Sequence, residues 1–213
     1  MCLIIRKPRG RHIDRDFLEN AWQRNAHGWG CVHLLGAEMR VSRGLCLQSL
    51  MAHNAALPQD VEVYLHLRRA TRGAVNHEMT HPFVVRPGLL LMHNGNIDHL
   101  VPQDPAHSDT FELARLLEDM LTGLTDAQVA SMLRSQGFRS LTEPLIDGSM
   151  VVLMDAFGPV RLGRDWHTVS AAEWSDTMDG VQVSNANTWG RHLAQPPHGE
   201  ADAHEVGRVA VAV

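Results

Sequence analysis

Apolar residues along this chain fall into two rhythms. Short continuous or alternating runs at Cys2 to Ile5, Cys31 to Leu35, Val61 to Leu67, Leu89 to His93, Met150 to Met154, Val160 to Leu162 and Val181 to Val183 predict strands. The Leu89 run has no polar alternation, so that strand is expected to be covered on both faces. A three- and four-residue spacing appears at Phe17, Leu18, Ala21 and Trp22, predicting a helix from Asp14 to Arg24. A second helix is expected from Ser49 to Ala56, ended by Pro58. The clearest helix opens at Ser108-Asp109-Thr110, an N-cap signal followed by a broad apolar stripe of Phe111, Leu113, Ala114, Leu116, Leu117, Met120 and Leu121. Another runs from Asp126 to Gln136 and is expected to stop at Gly137. Strands at both ends with helices between them imply an α+β sandwich, not regular βαβ winding. No repeat or low-complexity linker interrupts the pattern, so one domain over residues 1–190 is expected. Residues 191–213, with Pro196-Pro197 and several charges, read as a tail whose closing Val-Ala-Val-Ala-Val is an edge strand or disordered.

Composition narrows the function classes. The 213 residues suffice for one sizeable core, and 19 basic against 24 acidic side chains give a net charge of −5 with no like-charged block. A nucleic-acid footprint is therefore not expected. The longest apolar runs, Gly88 to Met92 and Met150 to Met154, are far too short for a membrane span. Only four apolar residues precede the first charge at the N-terminus, too few for a signal-peptide core, so a cytoplasmic protein is expected. Three irregularly spaced cysteines, Cys2, Cys31 and Cys46, do not make a disulfide framework. Fourteen histidines raise the question of a metal.

Among single residues, Cys2 reads first as a small apolar member of the opening strand. Removal of the initiator methionine would change its chemistry, because the cysteine would then carry its own α-amine. With a reference pKa of roughly 7.7 to 8.0, that amine can take the thiol proton without a separate base. Asn94-Gly95 is a hairpin-turn signal, but it also offers a side-chain amide and an open backbone N–H at a strand end, the parts of an oxyanion hole. Arg68 ends a strand and Asp109 begins a helix. Each has an ordinary surface or capping role, and facing each other across a pocket they would match the carboxylate and ammonium of an amino acid.

Taken in order, these pieces resemble the glutaminase domain of class II glutamine amidotransferases, within the N-terminal nucleophile hydrolase superfamily. The shared motifs are Met1-Cys2, the segment Asn25-Ala-His-Gly-Trp-Gly30, Arg68-Arg-Ala-Thr71-Arg-Gly73, Thr80-His-Pro-Phe83, His93-Asn94-Gly95 and Ser108-Asp109-Thr110. The resemblance covers most of the chain and implies a four-layer αββα sandwich. It implies that Cys2 attacks the carboxamide of glutamine or a related γ-glutamyl amide, forms a γ-glutamyl thioester, and releases ammonia. Asn94 and Gly95 would hold the oxyanion, Arg68 the α-carboxylate and Asp109 the α-ammonium. Arg24 would support the nucleophile, and Thr71, His93 and Trp29 would frame the pocket. Ser184-Asn185 matches a Ser-Asn of stand-alone relatives, with a simple turn as the other reading. Leu3 stands where many relatives have glycine, and Asn25-Ala-His lacks an acidic residue common in that segment. No cofactor is implied. At this length no synthase or phosphosugar domain is expected beside the glutaminase unit. The chain is then a free-standing amidase, an ammonia-supplying subunit of a larger complex with an acceptor-domain partner, or a non-catalytic module of the same fold.

One motif points elsewhere. His77-Glu78-Met79-Thr80-His81 is a literal His-Glu-x-x-His, which on a helix places two imidazoles for zinc and a glutamate as base. Gly73 upstream, Pro82 directly after His81 and the lack of an apolar helical face argue against a helix there, so no metal site is expected. His12, His33, His53, His66 and His167 show no ligand spacing and are expected on the surface or in the core. Cys31 and Cys46 are expected to be packed thiols.

Overall fold

The structure, a computed structural model, describes residues 1–190. The expected tail from 191 to 213 lies outside them. Two antiparallel sheets face each other. The first contains β1 (Leu3–Lys7), β2 (Trp29–Leu35), β3 (Glu38–Gly44), β4 (Val63–Leu67), β9 (His167–Thr168) and β10 (Gln182–Val183), in the order β3-β2-β4-β1-β10-β9. The second orders β5 (Phe83–Arg86), β6 (Leu89–Asn94), β7 (Met150–Asp155) and β8 (Gly158–Gly163) consecutively. Helices α1 (Arg15–Trp22) and α2 (Leu47–Ala55) contribute Phe17, Leu18, Ala21 and Leu50 to the core on the outer face of the first sheet. Helices α3 (Asp109–Leu121), α4 (Asp126–Leu133) and α5 (Gln136–Thr142) cover the second sheet. The four layers are therefore αββα, as the resemblance implies.

Strand periodicity explains how one chain fills three apolar spaces. Along β1, Leu3 and Ile5 face α1 while Ile4 enters the space between the sheets. Along β6, Leu89 and Leu91 face α3 while Leu90 and Met92 meet Ile4, Val32 and Tyr64. Strands covered on both sides must be apolar at every position, which is why Leu89 to Met92 and Met150 to Met154 lack alternation.

Several boundaries differ from expectation. β1 extends to Lys7, whose ammonium, 1% exposed, sits 2.9–3.2 Å from the carbonyls of Arg11, Pro58, Gln59 and Val61 and shares its three N–H groups among them. β3 and β5 were not expected as strands: β3 carries few apolar residues, and β5 is a four-residue run, Phe83-Val-Val-Arg86, directly after Pro82; β3 is an edge strand joined to β2 through a two-residue turn at Gly36-Ala37. The two-residue β9 was also unexpected. The helix expected from Asp126 to Gln136 is two. Arg134 closes α4, and Ser135 starts α5 by accepting the Phe138 N–H at 3.1 Å, leaving Gly137 inside the next helix instead of after the last. Asn94-Gly95 is not a hairpin: the β5–β6 turn lies at Pro87-Gly88, while Asn94 ends β6 beside Met150.

Candidate active site

At one end of the first sheet, Leu67 pairs with both Leu3 and Trp29, which places Cys2, Arg68 and Gly28 just beyond three neighbouring strand ends. Cys2 is half-buried. Its Sγ lies 3.5 Å from the Arg69 carbonyl and accepts the Arg69 N–H at 3.4 Å. Burial pushes the thiol pKa up, while the Arg69 N–H, the positive N-terminus and Arg68 pull it down and Asp109 raises it further. The net direction is upward, so the resting group is a thiol, not a thiolate.

Asn94 reaches the same end from the second sheet. It is fully buried, and its Nδ2 donates to Ser184 Oγ at 2.7 Å. That hydroxyl also accepts the Ile4 N–H at 2.8 Å, and the Ser184 N–H donates to the Ile4 carbonyl at 2.9 Å. Asn185 Nδ2 donates to the Cys2 carbonyl at 2.8 Å. The Ser184-Asn185 pair thus fastens the Cys2 strand to Asn94. Gly95 follows at φ +150°, where a Cβ would fall 2.0 Å from Ser149 Oγ, so both the conformation and the space require glycine. Gly30 is equally constrained, since a Cβ there would lie 1.5 Å from the His81 carbonyl oxygen.

Arg68 and Asp109 are 2% and 5% exposed, and both act electrostatically on the Cys2 thiol. They do not form an ion pair with each other. The Arg68 guanidinium donates to the carbonyls of Ala74 at 2.6 Å and Arg72 at 3.1 Å, shaping the loop after β4. Asp109 accepts from Ile97 N and Thr110 N, both at 2.8 Å; the cap of α3 is Ser108, which accepts the Phe111 N–H at 3.2 Å. Each charge thus retains an oriented shape that backbone bonds enforce.

The supporting residues sit around this centre. Thr71 Oγ1 donates to Asn96 Oδ1 at 3.0 Å, joining the loop after β4 to the loop after β6. Arg24 contributes its carbonyl, which accepts Arg69 Nη1 at 3.2 Å. Trp29 stacks on His53 and donates to Ser49 Oγ at 3.0 Å, a link to α2. His93 Nδ1 lies 2.8 Å from Thr110 Oγ1, and its carbonyl meets His66 Nε2 at 3.0 Å.

Sequence reasoning missed the meeting of His66, His81 and His93. His66 and His81 stack at 3.8 Å, and burial lowers all three: His66 to about 3, His93 to about 4, and His81 well below its ordinary value. Their scattered positions left no spacing signal. The His77 to His81 segment forms turns instead of a helix, with Thr80 N donating to the His77 carbonyl, and the buried His81 cannot face His77 across one helical turn. Among the described residues no group of three or more His, Cys, Asp or Glu is placed to hold a metal ion. Cys31 is a packed thiol raised to about 12 by burial, whereas Cys46 is a helix cap whose sulfur accepts the Ser49 N–H at 3.5 Å. No helix among the described residues is long and apolar enough to cross a membrane.

A cavity of about 580 Å³ lies along the β8 edge, lined by Arg134, Arg139, Arg161 and Trp166 among others. Its charged lining is mostly basic, with Asp165 as its one carboxylate, and it does not include Cys2.

No protein-family model and no curated protein matches the chain. Two solved structures are similar in fold over 73% of it, each at 17% identity. One is the glutamine phosphoribosylpyrophosphate amidotransferase from B. subtilis complexed with ADP and GMP, with a TM-score of 0.45; the other is described as the allosteric regulatory enzyme of purine biosynthesis, with a TM-score of 0.42. The match covers 35% and 36% of those chains, so this chain spans about a third of their length. The functional reading rests on the site itself.

Proposed function

We propose that the protein hydrolyses the side-chain amide of glutamine, or of a related γ-glutamyl amide, through a thioester on Cys2. The observation that carries this reading is the convergence at Cys2: Ser184 ties the nucleophile strand to Asn94, and the buried charges of Arg68 and Asp109 both reach the thiol.

Because burial keeps the thiol protonated, it needs a base. In the chain as it stands, Cys2 N is a peptide nitrogen without a basic lone pair. Met1 is exposed at 45%, open to removal, and its loss converts that nitrogen into an amine on the nucleophile's own residue. The amine takes the thiol proton as sulfur attacks the carboxamide carbon. Asn94 Nδ2 and Gly95 N hold the oxyanion. The resulting ammonium passes its proton to the departing nitrogen, which leaves as ammonia. Water, deprotonated by the same amine, then attacks the thioester to release glutamate and restore the thiol. Arg68 presents a planar fork to the substrate α-carboxylate and Asp109 an acceptor to its α-ammonium.

The test is ammonia release from glutamine and a panel of γ-glutamyl amides, with Cys2→Ala as control. Release that Cys2→Ala abolishes supports the reading. Activity only with a second protein present would assign the chain as an ammonia-supplying subunit, and release from no member of the panel would reject the assignment.

A further inference from the structure

We propose that Ser184 is a positioning residue that sets the amide plane of Asn94 for oxyanion stabilisation. This rests on the reading of Cys2 and Asn94 given above and extends it to a residue of the last strand region.

A serine hydroxyl oxygen has two acceptor positions. Both are filled at Ser184, one by the Ile4 N–H at 2.8 Å and one by Asn94 Nδ2 at 2.7 Å. The Ser184 backbone N–H returns to the Ile4 carbonyl at 2.9 Å, so the serine is pinned to β1 at two points. Ser184 is 3% exposed and Asn94 fully buried. The terminal torsion of asparagine is broad and two-fold, so the β6 backbone alone does not fix the direction of the amide. One N–H of Nδ2 bonded to Ser184 does fix it, and the planar amide then carries its second N–H in a set direction. That second N–H has no acceptor among the hydrogen bonds of the described residues, and Asn94 Oδ1 has no donor among them. A buried amide with unused capacity is costly in the free protein and is explained by a charge that arrives during the reaction. Since Ile4 is two residues from Cys2, the same hydroxyl references the donor to the strand that carries the nucleophile.

The decisive experiment is a double-mutant cycle with kcat and KM measured for glutamine or the most active γ-glutamyl amide. Ser184→Ala should lower kcat about 10- to 100-fold, within the cost of losing one oxyanion donor, with KM changed by less than about threefold because Arg68 and Asp109 are untouched. Ser184→Thr, which retains the hydroxyl, should recover most of the rate. In an Asn94→Ala background, Ser184→Ala should add almost no further loss, since it acts through the amide already removed. Should Ser184→Ala fail to fold, Ser184→Cys, a near-isostere with a weak acceptor, is compared with Ser184→Thr instead. An additive loss in the double variant, or a kcat for Ser184→Ala equal to wild type, would overturn the proposal while leaving the Cys2 mechanism in place. Wild-type protein inactive on every γ-glutamyl amide would overturn the mechanism and this proposal with it.

Discussion

The side-chain amide of Asn185 donates to the carbonyl oxygen of Cys2 across 2.8 Å, joining positions 183 residues apart. Asn185 Oδ1 meanwhile accepts from Asn187 N and Thr188 Oγ1, both at 3.0 Å, which holds the turn after β10. The two halves of one amide can be separated by mutation. Asn185→Asp keeps the acceptor for the turn and loses the donor to Cys2. It should slow ammonia release about tenfold with a small drop in melting temperature. Asn185→Ala loses both and should cost about 1 to 3 kcal/mol in addition. Thermal unfolding beside initial rates distinguishes the two; equal rates for Asn185→Asp and wild type would show that the Cys2 carbonyl needs no anchor.

The charge clamp gives a second expectation. Arg68→Ala and Asp109→Asn should each lower kcat/KM for glutamine by roughly two to four orders of magnitude, about 3 to 5 kcal/mol, as expected for truncating one partner of a desolvated charge pair. Acylation of Cys2 by a simple reactive ester lacking both substrate charges should persist. Arg68→Lys should not rescue, because a lysine cannot donate to the Ala74 and Arg72 carbonyls and still present a planar fork. Glutamine turnover equal to wild type in both truncations would remove these residues from the site.

Gly95 is a test of backbone chemistry. Gly95→Ala places a Cβ 2.0 Å from Ser149 Oγ and 2.6 Å from Ser149 Cβ in a backbone conformation that L side chains rarely adopt. Turnover should fall by about 10²-fold or more as the strand end shifts and its N–H leaves the oxyanion position. Gly36→Ala is the control: it shares a positive φ, at +64°, but meets nothing within 4 Å. That variant should cost about 1 kcal/mol of stability and leave kcat unchanged.

How far the sequence foretold this arrangement depended on what kind of signal each part leaves. The continuous apolar run from Leu89 to His93 announced a strand covered on both faces, and the Ser108 cap announced α3. β3 was silent because an edge strand of Arg, Ser and Glu buries little, and the break between α4 and α5 was concealed because Ser135 restarts a helix where Gly137 seemed to end one. Cys2, Asn94, Arg68 and Asp109 were legible as motifs in order. The backbone partners of Arg68 and Asp109, the Ala74 carbonyl and the Ile97 N–H, are brought near only by tertiary folding and leave no motif. The Ser184 bridge and the three buried histidines depend on contacts across long sequence separations, and no local pattern records them.

Those histidines predict acid sensitivity. In the unfolded chain each titrates near 6.5, whereas in the folded protein burial holds His66 at about 3, His93 at about 4 and His81 well below its ordinary value. Below pH ~6.5 the unfolded state therefore binds more protons, and stability falls as pH falls, by up to about 1.4 kcal/mol per pH unit for each histidine. Denaturant unfolding at pH 7, 6 and 5 should show a steepening loss, and His66→Gln should reduce the slope by about one proton. A flat stability profile between pH 7 and pH 5 would mean that these imidazoles are not buried in the folded state.

The central claim is that Cys2, freed of Met1, carries the acyl group. The most direct measurement is intact mass of the protein, acid-quenched during glutamine turnover, with peptide mapping of any adduct. The account predicts active chains that begin at Cys2 and a transient gain of one glutamyl residue mapped to that cysteine, with Met1-bearing chains unacylated. Turnover by chains that retain Met1, or ammonia release persisting in Cys2→Ala, would contradict it.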